Sequence, residues 1–190
     1  MSARRSQEAD ERPAGLLVVS PGEGEALLGA NLICRAAWTE GHACVFDQEL
    51  PPRLLTPAHS HELETQCAYV LAGTIGYWVD GEEAEVSAGG YVVRPPGKVH
   101  ALWNPTDEPA RMLEITTPGE RMQRFQQELR DLHAAGGGAD ELVALAATYG
   151  TELAPAVTAE LCARHGVSAG QGYAPVGNRR TPTPGPGGRR

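Results

Sequence analysis

Between about residues 15 and 117, glycine, proline and asparagine cut the chain into runs too short for helices. The runs are "LLVV", "NLICRAAW", "HACVFDQEL", "CAYVLAG", "TIGYWVDG", "EEAEVSAG", "GYVVRPPG", "HALWN" and "ARMLEITT". They are short, rich in β-branched or aromatic residues and bounded by turn formers, which is the pattern of strands. So many short strands in one stretch imply an all-β sandwich or barrel. Asp80-Gly81, flanked by "GYWV" and "EEAEV", marks a two-residue hairpin whose central positions both need positive φ.

After Thr116 the period changes. Thr117, Pro118 and Glu120 supply a cap, a first-turn proline and a capping-box acid, and Met122, Phe125, Leu129 and Leu132 then share one face, so a helix is expected over about 118–135. The glycines at 136–138 end it, and "ADELVALAATYG" and "APAVTAELCARHG" read as two shorter helices, each closed by glycine. The expected organisation is a disordered N-terminus over 1–14, a β-barrel over 15–117, a helical extension over 118–167 and a disordered tail rich in Gly, Pro and Arg over 168–190. At 190 residues and 41% hydrophobic content this amounts to one core.

A net charge of −8 with Lys98 as the single lysine argues against a nucleic-acid partner. No apolar run approaches the roughly 20 residues needed to span a bilayer, and the N-terminus lacks the apolar stretch of a signal peptide, so no membrane partner and a cytoplasmic location are expected. Cys34, Cys44, Cys67 and Cys162 show no paired spacing and read as reduced thiols.

The segment "PAHSHELETQCAYVLAG" puts His59 and His61 two apart, hence on one face of a strand. Two imidazoles on one face suit a shared ion, although two polar residues on a passing strand would look the same. A second segment, "GGYVVRPPGKVHALWN", carries Gly89, Pro95, Gly97, His100 and Asn104 at spacings of five, one, two and three intervening residues. That spacing resembles the second motif of the cupin superfamily. His59, His61, residue 66 and Gly73 resemble the first, and the Asp80-Gly81 hairpin lies between them. Pro95 and Gly97 would build the tight turn that delivers His100.

The resemblance implies a mainly β double-stranded β-helix, a jelly-roll barrel, followed by C-terminal helices. It also implies one divalent transition metal (Fe, Ni, Mn, Co or Zn) held by His59, His61, residue 66 and His100. Where most of the family has Glu, this chain has Gln66, whose amide oxygen still ligates but carries no charge. The ion would keep its full +2, favouring a substrate that is anionic when bound, and Gln66 cannot serve as a base. Glu64, with Glu62 beside it, is then a candidate base if the strand runs straight. Solvated loop acids are the other reading of both.

Phe46, Val70, Leu102 and Trp103 are candidates for an apolar pocket wall, with ordinary barrel core as the alternative. Arg94 would either neutralise an acidic substrate or face outward in a salt bridge. His42 lies at a strand start, and His133 and His165 near helix C-termini, where imidazole suits the dipole. The strand, helix and Gly-rich break that follow the barrel are similar to single-domain cupins of the quercetin-dioxygenase-like kind. Such helices cover an open end or make a dimer contact, so a homodimer is expected.

Three functions follow from the resemblance. One is a dioxygenase acting on a small oxygenated aromatic or enolisable compound. A second is an isomerase, cyclase or lyase using the ion as Lewis acid. A third is a small-molecule binder without turnover. The arginine-rich, lysine-poor composition suggests a setting in secondary metabolism by analogy alone.

Overall fold

The computed structural model describes residues 12–170. The ends expected to be disordered lie outside the described residues, save for 12–14 and 168–170.

Two antiparallel sheets form the barrel. The first runs β1 (Glu25–Ala26), β2 (Ala30–Cys34), β3 (Cys44–Leu50), β10 (Ala110–Thr117), β5 (Thr65–Ala72) and β8 (Tyr91–Arg94). The second runs β11 (Thr151–Leu153), β4 (Leu54–His61), β9 (His100–Trp103), β6 (Thr74–Val79) and β7 (Glu82–Ser87), with β12 (Ser168–Ala169) pairing parallel to β4. Alternate residues face inward: Leu50, Val70, Ile75, Leu102 and Met112 fill the space between the sheets at one end. Asp80 at φ 46° and Gly81 at φ 98° make the expected hairpin between β6 and β7.

Three helices follow the barrel: α1 (Glu120–Ala134), α2 (Ala139–Thr148) and α3 (Pro155–His165). α1 buries Met122 and Phe125 against Leu27, Leu32 and Phe46, covering one end of the first sheet. α3 lays Leu161 on Leu55, Ala58 and Trp103, covering the outer face of the second. The cysteines are unpaired.

Four expectations need correction. "LLVV" forms no strand, and Leu16 is 96% exposed. Thr117 does not cap α1, because it is still in β10, paired with Thr65. Gly119 is the N-cap instead and makes no side-chain cap bond; a Cβ there would lie 2.3 Å from the backbone of Ala43 and Cys44, so only glycine fits. The extension is not purely helical, since β11 pairs with His59–His61. Finally, the ordered chain runs past 167: Ser168 and Ala169 pair with Leu54 and Leu55. Together β11 and β12 cover the edge of β4 that would otherwise present unpaired backbone groups.

Candidate metal centre

β4 and β9 pair with His59 opposite His100. Pro57 lies where the β4–β9 register shifts, between Thr56 and His59. Thr56 lines the interior cavity, and so do His59 and His61, which strict alternation from position 56 would turn outward. The irregularity at Pro57 therefore sets which face the two histidines take.

His100 arrives from the Pro95–Gly97 turn, where Gly97 at φ 73° donates its N–H to the His61 carbonyl at 2.7 Å. Asn104 braces the far end of β9: its Nδ2 donates to the carbonyls of Leu50 and Glu108, and its Oδ1 accepts from Thr106.

The candidate ligand atoms of His59, His61 and His100 all lie within 4.8 Å of one another. Each ring is tied at Nδ1. The Nδ1–H of His59 donates to the Pro57 carbonyl at 2.7 Å and that of His100 to the Lys98 carbonyl at 3.0 Å. His61 Nδ1 meets Thr151 Oγ1 at 2.9 Å. The two carbonyl bonds fix His59 and His100 in the tautomer whose Nε2 carries a lone pair, and the Thr151 hydroxyl orients the His61 ring. Nε2 of His61 and of His100 is buried with no hydrogen-bond partner, and so is Gln66 Oε1. Orphaned acceptors of this kind are costly unless something fills the space between them. A divalent transition ion fits the three imidazoles, and Gln66 lines the same cavity.

Burial lowers the pKa of all three rings. It brings His59 to about 4, with the Pro57 bond opposing and the Arg94 charge assisting, and His61 to about 2, with His59, Arg94 and Arg121 adding to the effect. His100 is lowered as well, by burial first and then by His59, Arg94 and His61. Neutral imidazole is the ligating form, so the rings are ready to bind at any ordinary pH.

A cavity of about 80 Å³ adjoins the cluster, lined by His59, His61, Gln66, Arg94, Glu114 and Phe46 among others. Leu28 of the β1–β2 turn and Met122 and Gln126 of α1 also line it. Arg94 does not face outward. It is 2% exposed and pairs with Glu114 inside the barrel, Nη2 reaching both carboxylate oxygens. Burial raises the Glu114 carboxyl, and the Arg94 guanidinium opposes that. An acid therefore lines the cavity in which an ion was expected to keep its full +2, although Arg94 cancels the charge Glu114 brings.

Among the other expected site residues, Phe46 and Leu102 line the cavity. Val70 does not: it shares the inward face of β5 with Gln66 but packs farther along with Leu50 and Ile75. Trp103 cannot, because alternation along β9 turns it away from Leu102 onto α3, where it stacks on His165 at 4.1 Å. Glu64 is neither solvated nor in the cavity wall. β4 ends at His61, and the turn that follows points the buried Glu64 carboxylate at Arg121 Nε of α1, 3.5 Å away, while Glu62 stays exposed. Glu114 and Thr151 were missed. A legible signal existed for Glu114, an acid at an inward position of "ARMLEITT"; none existed for Thr151, which reaches His61 from a different part of the chain.

Residues 46–116 match the cupin domain family. The match spans most of the barrel and marks it as similar to the cupin domain. It is 29% identical over 118 residues to quercetin 2,3-dioxygenase of Bacillus subtilis, a match covering 59% of this chain and 35% of that protein, so the chain spans about a third of that relative's length. Among solved structures, a predicted oxalate decarboxylase from Thermotoga maritima superposes with a TM-score of 0.50 at 19% identity, over 53% of this chain and 98% of the other. That likeness supports the double-stranded β-helix fold alone. The histidines of the two cupin-like segments, His59, His61 and His100, are the ones that converge.

Proposed function

We propose that this cupin-like protein is a metal-dependent enzyme acting on a small oxygenated, enolisable compound that binds as an oxyanion. One observation carries the reading: buried imidazoles tied at Nδ1 hold their remaining nitrogens close together beside a cavity. His59, His61, His100 and Gln66 Oε1 would hold a divalent ion (Fe, Ni, Mn, Co or Zn), which supplies Lewis-acid polarisation and, where redox-active, chemistry with dioxygen. None of these four side chains brings negative charge, and Arg94 with Glu114 sums to zero, so the site favours an anionic ligand. Phe46, Leu102 and Met122 keep the cavity wall apolar and limit water around the ligand.

Reaction with dioxygen is the first assignment, supported by the name of the Bacillus relative. A non-oxidative isomerisation, cyclisation or elimination is the second. It is favoured by Glu114, a buried carboxylate in the cavity wall at a site where Gln66 offers no base.

The test is to incubate metal-loaded protein with candidate enolisable acids and diketones with and without oxygen. Turnover that survives strict anaerobiosis removes the dioxygenase and leaves the second assignment. If the protein binds metal and ligand but turns over nothing under either condition, it is a binding protein and both assignments fall.

A further inference from the structure

Arg94 is the buried cation of the cavity, and the metal reading leaves it without a task. Its bonds to Glu114 all leave from Nη2, while its Nε is buried with no hydrogen-bond partner. A guanidinium offers its N–H groups as a planar fork that matches a carboxylate. Glu114 therefore fixes the group and leaves Nε unpartnered on a side chain that lines the same cavity as His59, His61 and Gln66. Tyr77 supports it from the other side, with the guanidinium carbon 5.8 Å from the ring centre.

Distance and volume then limit what spans the two. Arg94 is the direct cross-strand neighbour of Gln66, so the guanidinium and the amide stem from backbone positions about 5 Å apart. A cavity of about 80 Å³ is roughly half the ~150 Å³ that accommodates benzene, so it favours a ligand smaller than a planar aromatic ring. A few heavy atoms fit, and they must offer oxygen at both ends.

We infer that Arg94, held in place by Glu114, is the carboxylate-recognition group of this site, and that the ligand is a small acid with a second oxygen on the adjoining carbon, a 2-oxo, 2-hydroxy or oxalate-like unit. The inference rests on the reading of the histidine cluster as a metal centre. Arg94 takes one end of the acid and the ion the other. Arg94 is thus a binding residue that selects acids over neutral diols and phenols.

The experiment uses full-length protein loaded with Mn²⁺ and titrated calorimetrically with oxalate, inorganic phosphate and 4-nitrocatechol. Wild type binds oxalate more tightly than the other two. Because Arg94→Gln alone would strand Glu114, the test variant is Arg94→Gln/Glu114→Gln, which removes both charges and leaves the pair's net charge at zero. In it, oxalate binding weakens by at least about tenfold, the range of one lost charge-assisted hydrogen bond, while Mn²⁺ and 4-nitrocatechol bind as in wild type. Arg94→Lys, which keeps the charge without the fork, falls between. Equal affinity for oxalate in wild type and the double variant overturns the inference and leaves the metal reading standing, as does tighter binding of phosphate or 4-nitrocatechol than of oxalate by wild type. Failure of Mn²⁺ to bind wild type, or binding undiminished in His61→Ala, removes the metal reading and the inference with it.

Discussion

β4 and β9 bring three neutral rings to the cavity, whereas β8 and β10 bring a cation and an anion, and the two walls are stabilised in opposite ways. The rings give one nitrogen each to the protein and keep the other free. Arg94 and Glu114 turn mainly toward each other. A buried set that leaves acceptors unpartnered is completed by something from outside the chain, while a buried ion pair is largely complete in itself and fails when one member is removed.

The largest effect should come from breaking the complete wall. Glu114→Gln leaves Arg94 buried without its counter-ion and should cost about 3–5 kcal/mol, read from the urea midpoint. Arg94→Gln/Glu114→Gln should recover most of that. If the single and double variants are equally unstable, the pair is not what holds this wall.

Breaking the incomplete wall should cost metal and not folding. His61→Ala should lower metal affinity by more than about 100-fold, measured by competition with a chelator, with the circular dichroism spectrum unchanged. Thr151→Val should show a smaller effect of about 10–100-fold, because it removes the partner that orients His61 and leaves the ligand in place. The corresponding partners of His59 and His100 are backbone carbonyls, which no side-chain change deletes. An unaltered affinity in Thr151→Val would mean that the ring is oriented by packing alone.

Per ring and per pH unit, the smallest effect is on acid stability. In metal-free protein the folded rings titrate below the ordinary value of about 6.5, so as pH falls below that value the unfolded chain takes up protons first. Stability should be full above pH ~6.5 and decline as pH drops toward the folded value of about 4 for His59, by on the order of 1 kcal/mol per ring per pH unit. Glu114, whose carboxyl is raised, acts in the opposite direction nearer its own ordinary range. Saturating metal should steepen the decline, since protons then compete with the ion as well. A denaturation midpoint that is flat from pH 7 to 5 would contradict buried neutral rings.

The fold and the histidines that cluster were legible because they depend on local spacing. Alternation and turn residues mark the strands, and the intervals around His59, His61, Gly97 and His100 carry both motifs. The cavity wall was less so. Phe46 and Leu102 lie on it and Arg94 takes the inward of its two readings, yet Trp103 was grouped with Leu102 although one residue of strand separates opposite faces. Glu64 depended on a straight strand, and the strand ends at His61.

The hairpin at Asp80-Gly81, the neutral side chain at 66 and the inward acid at 114 are properties of the sequence alone, since each follows from residue type and local period. Three facts belong to the tertiary structure: the register irregularity at Pro57 that turns His59 and His61 inward, the docking of Thr151 on His61, and the closure of Arg94 on Glu114. All three join parts of the chain that only packing brings together, or depend on how one strand is seated against its neighbour. Local preference is blind to both.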